Sequence, residues 1–383
     1  MWITDATVLS LDMYLTGGVS ASGKWLDQAL QKGYNGTQAG SSANTSSLTA
    51  TTGAWKRVTY QWTVPETATL SGMQIGIRSY GAGLSTFYLD DISLYEVESQ
   101  FKGATLTLGD KLHMNYYTAL LDSDATDKAM QVKFTYTDRD GAVTKWVPIA
   151  EAQEAGDYTV FTLTDLVAAY MATDIHAELG YGTENAFTVM TSLDYSVQDY
   201  AQALIDGSSY DAKVKTAAKA LLNYGAATQT YFGYQTETLA DSVLAEADKL
   251  TDINTALGQI DNINQYKATT TNRLSSFVGY TLLLTDGVGI RLYFTEQVTV
   301  TVDGEAVNVV DDPDSDRYYA EISGVRAADL DLAHTVVVNG TMTIQNLSAL
   351  TPARTVARSS SSTQNFRRLS AALILYAQSV NAL

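Results

Sequence analysis

The chain has 383 residues, which is more than one hydrophobic core usually organises, so we expect two or three domains. Its 42 acidic and 24 basic residues give a net charge of −18, and a surface of that sign repels nucleic acids and anionic membranes. The absence of cysteine excludes disulfide bonds, thiol nucleophiles and cysteine-based metal sites. None of these properties disfavours a neutral polysaccharide as a partner.

The start of the chain shows no targeting signal. The first residues, MWITD, lack the basic start and the apolar run of a signal peptide, so we expect the chain to begin inside a longer protein. No stretch approaches the roughly 20 apolar residues of a membrane-spanning helix. We therefore expect no insertion into a membrane.

Residues 1–100 contain short segments in which apolar and polar side chains alternate. The apolar positions are Val58, Tyr60, Trp62 and Val64 in one segment and Met73, Ile75 and Ile77 in another. Such alternation is typical of strands with one buried face, and Gly and Ser separate the segments as they do in turns. The Ser-, Thr- and Ala-rich stretch at 36–53 predicts a loop. We therefore predict an antiparallel β-sandwich here.

Two motifs in this region resemble those of jelly-roll carbohydrate-binding modules of secreted glycoside hydrolases. They are GAWKRVTYQWTVP at 53–65 and FYLDDISL at 87–94. The resemblance implies a jelly-roll-like β-sandwich that binds a sugar polymer. It also implies a structural calcium ion held in part by Asp90 and Asp91; an acidic bend at a strand end is the alternative for these two residues.

A sugar site needs aromatic faces that stack on pyranose rings and planar polar side chains that hold hydroxyl groups. Trp62 shares a face with Val58 and Val64 and is therefore predicted to be buried. The predicted ligand-binding residues are two aromatics in loop-like surroundings and two residues opposite the apolar face of their strand, namely Trp25, Tyr34, Arg78 and Tyr80. An ordinary position on the surface or rim is the alternative for each.

An internal repeat begins near residue 101. The segment GATLTLGD at 103–110 aligns without a gap with GYTLLLTD at 279–286, and the apolar positions continue in step beyond both segments. A second matched block follows, because the same interval of 28 residues separates Ser196 from Tyr224 and Ser348 from Tyr376. Two matched blocks in the same order predict a duplication.

The end of each copy has helical periodicity, whereas its beginning resembles strands. Apolar residues recur three and four positions apart in both copies, at Val197, Tyr200, Ala201 and Leu204 and at Leu369, Ala372, Leu373, Tyr376 and Val380. Each copy therefore predicts a run of strands followed by a helical hairpin, an α+β unit. The fold predicted for the whole chain is mainly β, with a jelly-roll-like sandwich at 1–100, copies at 101–235 and 274–383, and a helical and polar connector at 236–273, in which 238–250 is predicted to be a short helix.

The repeated part is similar to a region that recurs in large secreted and surface proteins of anaerobic gut bacteria. Three stretches carry the similarity, namely LTLGDKLHMNYY at 106–117, YSVQDYA at 195–201 and ALLNYGAATQTYFGY at 220–234. The similarity implies an exported, extracellular bacterial protein of several domains, of a kind that often acts on glycans. It supplies no catalytic residues for transfer to this chain.

The residues themselves show no catalytic motif. The three histidines, His113, His176 and His334, lack metal-ligand spacing, and no acid stands in a hydrolase signature. The stretch DPDSD at 312–316 starts like a calcium loop, but Arg317 and Ser323 occupy the positions where the loop needs Gly and Glu. A solvated acidic turn is the simpler interpretation.

The sequence predicts a non-catalytic accessory region of a secreted glycan-active protein, which binds a neutral polysaccharide or a cell-surface glycan. Any catalytic module would then lie elsewhere in the parent chain. A structural spacer or adhesin segment of a surface protein is the first alternative. A glycoside hydrolase is the second, and it would need two carboxylates held about 5–10 Å apart in a cleft.

Overall fold

A computed structural model describes residues 98–125, 129–284 and 287–383, with the backbone alone at 122–123. Before residue 98 it describes the backbone of four strands, β1 (Trp2–Ile3), β2 (Val8–Gly17), β3 (Leu70–Tyr80) and β4 (Phe87–Tyr88). The chain divides by its contacts into two compact units, Met1–Glu98 and Ser99–Leu383.

The strands of the first unit form two antiparallel pairs. β2 pairs with β3 from Val8 opposite Tyr80 to Gly17 opposite Leu70, and β1 pairs with β4. The strand predicted from the alternation around Ile75 is therefore confirmed as β3. The segment predicted around Tyr60 and the predicted loop at 36–53 lie outside the described residues, so the jelly-roll fold stays a prediction.

The second unit begins with eight strands in two antiparallel sheets. Sheet A has the order β5-β6-β10-β9, and sheet B has the order β12-β11-β7-β8. The strands are β5 (Gln100–Leu108), β6 (Leu112–Ala119), β7 (Met130–Asp138), β8 (Gly141–Pro148), β9 (Gln153–Ala155), β10 (Tyr158–Leu166), β11 (Ile175–Thr183) and β12 (Ala186–Tyr195). A four-residue helix, α1 (Asp122–Ala125), lies between β6 and β7.

Alternation of side chains explains how the two sheets pack. Every second residue of β6 is buried, so Met114 and Tyr116 point inward while Asn115 points outward. The ring of Tyr116 meets that of Phe134 from sheet B, with centroids 4.9 Å apart. Sheets A and B therefore pack face to face, and we call them the first sandwich.

Nine further strands form two more sheets with almost the same connections. Sheet C has the order β14-β15-β19-β18, and sheet D has the order β13-β21-β20-β16-β17. The strands are β13 (Thr269–Thr271), β14 (Phe277–Leu283), β15 (Gly289–Phe294), β16 (Val300–Val302), β17 (Glu305–Val307), β18 (Val310–Asp312), β19 (Arg317–Ile322), β20 (His334–Val338) and β21 (Met342–Leu347). Sheets C and D, the second sandwich, repeat the strand order of sheets A and B, with β13 added at one edge.

Two helices follow each sandwich. They are α2 (Val197–Asp206) and α3 (Ala212–Phe232) after the first, and α5 (Leu350–Arg358) and α6 (Gln364–Asn381) after the second. Ser196 and Asp199 form a capping box at the start of α2, Asp211 caps α3 and Thr363 caps α6. The mainly β character of the chain, with antiparallel sheets and helices, is thus confirmed.

The long helices α3 and α6 pack against each other at equivalent positions. The rings of Tyr224 and Tyr376 stack with centroids 5.5 Å apart and planes 5° apart. These two tyrosines occupy the same place in their helices, each 28 residues after the matched serine. One continuous cluster of buried apolar side chains runs through both sandwiches and these helices.

The connector between the sandwiches differs from its prediction. The stretch predicted as a helix, 238–250, forms two 3-10 turns, Ala240–Val243 and Glu246–Asp248. The α-helix of this region is α4 (Ile253–Gln259), which begins where Asp252 accepts hydrogen bonds from the N–H groups of Asn254 and Thr255. The threonines of β13 extend sheet D, so the connector also contributes a strand.

Buried amide side chains hold the connector on α3. Asn223 donates to the carbonyl of Asp248 at 2.9 Å and accepts from the N–H of Leu250 at 2.8 Å. Gln229 donates to the carbonyl of Thr238 at 3.0 Å and accepts from the N–H of Ala240 at 2.7 Å. Two of the bonded groups, the Thr238 carbonyl and the Leu250 N–H, would otherwise have been available for intrahelical bonds in an α-helix at 238–250.

Candidate functional site

Most of the ligand-site residues predicted from sequence lie outside the described residues. This applies to Trp25 and Tyr34, and to the predicted calcium ligands Asp90 and Asp91. Arg78 and Tyr80 lie on β3, where Arg78 is opposite Ser10 and Tyr80 is opposite Val8. The two residues share one side of this strand, because they are two positions apart.

The outward side of sheet B carries the clearest polar and aromatic cluster among the described residues. Lys133 on β7 lies directly opposite Trp146 on β8 and Glu178 on β11. Its neighbours Val132 and Phe134 are fully buried, so Lys133 and its partners point away from the core. We call this cluster the Trp146 face, and it consists of Lys133, Trp146, His176, Glu178, Phe187 and Asp194.

An aromatic pair spans the middle of the Trp146 face. Trp146 and Phe187 come from the two edge strands, yet their ring centroids are 4.9 Å apart and their planes are almost perpendicular. Gly180 permits this contact, because a Cβ atom there would lie 2.8 Å from the Phe187 ring. Both rings remain partly exposed, so they offer apolar surface to a ligand.

Charged side chains border the two rings. The Lys133 Nζ atom is 2.7 Å from Glu178 Oε2 and 5.8 Å from the centroid of the Trp146 ring. His176 Nδ1 is 2.6 Å from Asp194 Oδ1, and His176 Nε2 is 3.8 Å from Glu178 Oε1. The face thus combines an apolar floor with hydrogen-bond donors and acceptors that are already oriented, which is the arrangement that ligand sites use.

A small cavity lies where the two sandwiches meet the long helices. Its volume is about 50 Å³. The lining is mostly apolar and includes Leu112, Met171, Leu221 and Leu373. Asp110 is the one carboxylate among the described residues that line it. A glycosidase needs two carboxylates, so the described part of this cavity does not supply that chemistry.

One buried carboxylate outside this cavity has a structural role. Asp241, in the first 3-10 turn of the connector, is 3.6 Å from the Arg368 guanidinium of α6. Burial raises the pKa of Asp241, although Arg368 and Lys249 pull it down. The pair joins the connector to α6 and does not line the cavity.

The described histidines and acidic turns are engaged in local hydrogen bonds. His334 Nδ1 lies 2.7 Å from Asp303 Oδ2, and the ring of His113 accepts from the N–H of Asp165 at 3.4 Å. Asp312 accepts from the Ser315 hydroxyl and the Asp314 N–H, and these bonds lower its pKa. Within the ranges 98–125, 129–284 and 287–383, no three His, Asp or Glu side chains are placed to hold a metal ion.

The sequence contained a signal for Trp146 that the prediction did not use. Val143 and Val147 take one phase of β8, and Thr144 and Trp146 take the other, which indicates an outward ring for Trp146. The signal is weak, because Lys145 shares the phase of Val143 and Val147 and interrupts its apolar run. Phe187, which lies 41 residues after Trp146 in the sequence, could not be paired with it without knowing the order of the strands.

No model of a known protein family matches this sequence, and no curated protein matches it either. Function must therefore be inferred from the surfaces themselves. No helix in the described part of the chain combines the length and the apolar character needed to cross a bilayer.

Proposed function

We propose that the chain binds a neutral polysaccharide through the Trp146 face, as a non-catalytic accessory region of a secreted glycan-active protein. The observation that supports this most is the Trp146–Phe187 pair on the outward side of a sheet, bordered by a lysine and two carboxylates. These side chains lie on the solvent side of the sheet, where both rings are partly exposed. A sugar polymer has apolar ring faces that can stack on the rings and hydroxyl edges that can bond to the charged groups.

The charges on this face favour a neutral sugar. The carboxylates of Glu178 and Asp194 accept hydrogen bonds from sugar hydroxyls, and Lys133 donates them. An acidic sugar would bring its own carboxylate towards both of these groups, within a protein of net charge −18. A neutral pyranose meets no such repulsion.

Residues 1–98 belong to the same proposal. We propose that they form a jelly-roll-like sandwich in which Trp25, Tyr34, Arg78 and Tyr80 contact sugar and Asp90 and Asp91 help to hold calcium. The matched strand orders of the two sandwiches support a duplication within residues 99–383. The low proportion of charged residues, which is 17%, fits an extracellular location.

The test is affinity electrophoresis of the full chain in gels that contain xyloglucan, galactomannan, arabinoxylan or mixed-linkage glucan. We expect at least one of them to retard the wild type. Trp146→Ala should raise that Kd about tenfold, because a stacked ring contributes about 1.5 kcal/mol. Tyr210→Ala, which removes an exposed aromatic ring from outside the face, should leave the Kd unchanged.

Other results of this experiment would contradict the proposed function or move the binding site to another part of the chain. If no polysaccharide retards the folded wild type, glycan binding is wrong. If Trp25→Ala abolishes retardation while Trp146→Ala does not, the site lies in residues 1–98. Retardation that disappears when calcium is removed, and that Asp90→Asn weakens, would support the calcium site.

A rigid spacer is the second candidate function, and one observation favours it. The buried apolar cluster continues from the first sandwich through α3 and α6 into the second sandwich. Such a core makes residues 99–383 one stiff body, which suits a protein that holds other domains apart. This function predicts folded protein that no glycan retards.

A further inference from the structure

The outward side of sheet C carries a second aromatic cluster, on the second sandwich. Tyr293 on β15 lies directly opposite Tyr319 on β19, and Arg291 lies opposite Glu321. Ile290, Leu292 and Phe294, which alternate with them on β15, are fully buried. We call this cluster the Tyr293 face, and it consists of Arg291, Tyr293, Arg317, Tyr319 and Glu321.

Arg291 is held rigidly in this cluster. Its guanidinium carbon lies 4.3 Å from the centroid of the Tyr319 ring, and its Nε and Nη2 atoms are each 2.6 Å from Glu321 Oε1. Burial lowers the pKa of Arg291, but the hydrogen bonds with Tyr293 and Glu321 outweigh burial and raise it. The guanidinium and the carboxylate are therefore oriented before any ligand arrives.

There is space beside the rings for a ligand. Gly279 on β14 lies opposite Tyr293, and no atom lies within 4 Å of the place where its Cβ would stand. On the other side, Val310 lies opposite Tyr319 and is 46% exposed. The floor of the face thus continues as apolar surface over four strands, and the exposed Arg317 lies 6.0 Å from the Tyr293 ring.

The fold does not require this cluster, as the equivalent side of sheet A shows. Asn115 takes the place of Arg291 there, and Thr162 takes the place of Glu321. Asn115 donates to Thr107 at 2.9 Å and accepts from Thr162 at 2.9 Å, so this polar row satisfies itself. Tyr117 keeps the place of Tyr293 in sheet A, and Val160 takes the place of Tyr319. A sheet with the same strand order thus folds without Arg291, Glu321 and Tyr319, and these three residues on sheet C therefore call for another explanation.

We infer that the Tyr293 face is a second binding site for a neutral pyranose unit, so that residues 99–383 hold a polysaccharide at two places. We infer a neutral ligand because each arginine of the face lies opposite a carboxylate on the neighbouring strand, Arg291 opposite Glu321 and Arg317 opposite Asp312. This inference rests on the proposed function for the class of ligand. Two linked sites favour a polymer over a short oligosaccharide, since the second contact is intramolecular.

The test uses the full chain, the polysaccharide that retards the wild type most among the four named above, and the tetrasaccharide derived from it. Tyr293→Ala should raise the Kd for the polymer about tenfold and remove one tetrasaccharide from the stoichiometry measured by calorimetry. Tyr117→Ala changes the equivalent residue of the first sandwich and should do neither. Arg317→Ala, at an exposed position, provides a second variant if Tyr293→Ala does not fold.

The outcomes separate this inference from the proposed function. If Tyr293→Ala and Arg317→Ala bind like the wild type while Trp146→Ala binds more weakly, the second site is wrong and the proposed function stands. If Trp146→Ala binds like the wild type while Tyr293→Ala is weakened, the inferred site stands and the Trp146 face is wrong. Binding of no polysaccharide by the folded wild type overturns both.

Discussion

The two sandwiches of residues 99–383 have the same strand order and very different outward surfaces. In the first, sheet B carries the aromatic and charged cluster, and sheet A carries a row of Asn and Thr beside the Tyr117–Tyr158 pair. In the second, sheet C carries the cluster, whereas the outward positions of sheet D hold Thr271, Thr301, Thr343 and Val337. Inward positions are mostly apolar in both, with exceptions such as the buried Thr118, because packing constrains them. Outward positions are free to acquire different chemistry.

The largest expected effect concerns the shared core. Phe134 in the first sandwich and Phe294 in the second are both fully buried, and replacing either by Ala should cost about 3–5 kcal/mol of unfolding free energy. Because one apolar cluster joins the sandwiches, we expect each substitution to weaken hydrogen-exchange protection in both. Val310→Ala, at an exposed position, should change the unfolding free energy by under about 0.5 kcal/mol. Protection lost in the mutated sandwich alone would show two independent cores.

A smaller effect distinguishes two buried tyrosines. The Tyr116 hydroxyl donates to the carbonyl of Tyr195 at 3.1 Å, whereas that of Tyr376 finds no hydrogen-bond partner among the described residues. Tyr116→Phe should therefore cost about 1 kcal/mol, and Tyr376→Phe should be neutral or stabilising by up to about 1 kcal/mol. Urea denaturation of both variants measures the difference, and equal losses would contradict it.

The residues that cap the N-termini of the two long helices should also differ in how much they stabilise the protein. Asp211 accepts from two N–H groups, at 2.7 and 3.2 Å, and Thr363 accepts from one, at 3.3 Å. We expect Asp211→Ala to cost about 1 kcal/mol and Thr363→Ala about 0.5 kcal/mol by thermal denaturation. Ser209→Ala, at an exposed position in the turn before α3, is the control. A larger loss for Thr363→Ala would reverse the ranking of the two caps.

The smallest expected effect is a dependence on pH of the stability that the second sandwich gains from Asp303. The N–H of Thr335, and next the His334 ring, lower the pKa of Asp303 below its unfolded value of about 3.9. The stabilisation from Asp303 is therefore present above that value and is lost as the pH falls through the folded pKa.

Asp303→Asn should reduce the loss of stability between about pH 5 and pH 2 by a few tenths of a kcal/mol, because this carboxylate is 53% exposed. Asn also tolerates the positive φ of 52° at this position. Asp316→Asn makes the same change of charge at an exposed site and is the matched control. Identical pH profiles for wild type and Asp303→Asn would show that the negative charge of Asp303 does not stabilise the fold.

The sequence predicted correctly those strands and helices that show a regular spacing of apolar residues within one segment. Alternation identified β3, and the helical stripes identified α2 and α6 in the two hairpins. It missed what depends on contacts between distant segments. Trp146 and Phe187 form one site only because four strands are ordered as β12-β11-β7-β8, which no local pattern reveals.

The prediction of a helix at 238–250 was wrong for a related reason. Leucines and alanines at 239–250 have helical propensity, but amides on α3 bind the Thr238 carbonyl and the Leu250 N–H, two groups that would be bonded within such a helix. The polar stretch that follows contains α4, which depends on one cap, Asp252. The ligand and calcium predictions for residues 1–98 stay predictions.

The buried amides of Asn223 and Gln229 have a consequence for proteolysis. A protease must draw its substrate into an extended conformation, and the connector carbonyls of Thr238 and Asp248 are held against α3. Cleavage there has to wait until these hydrogen bonds open. The long segment between the sandwiches, which resembles a linker in sequence, should therefore be cut more slowly than a linker that is not bonded to a helix.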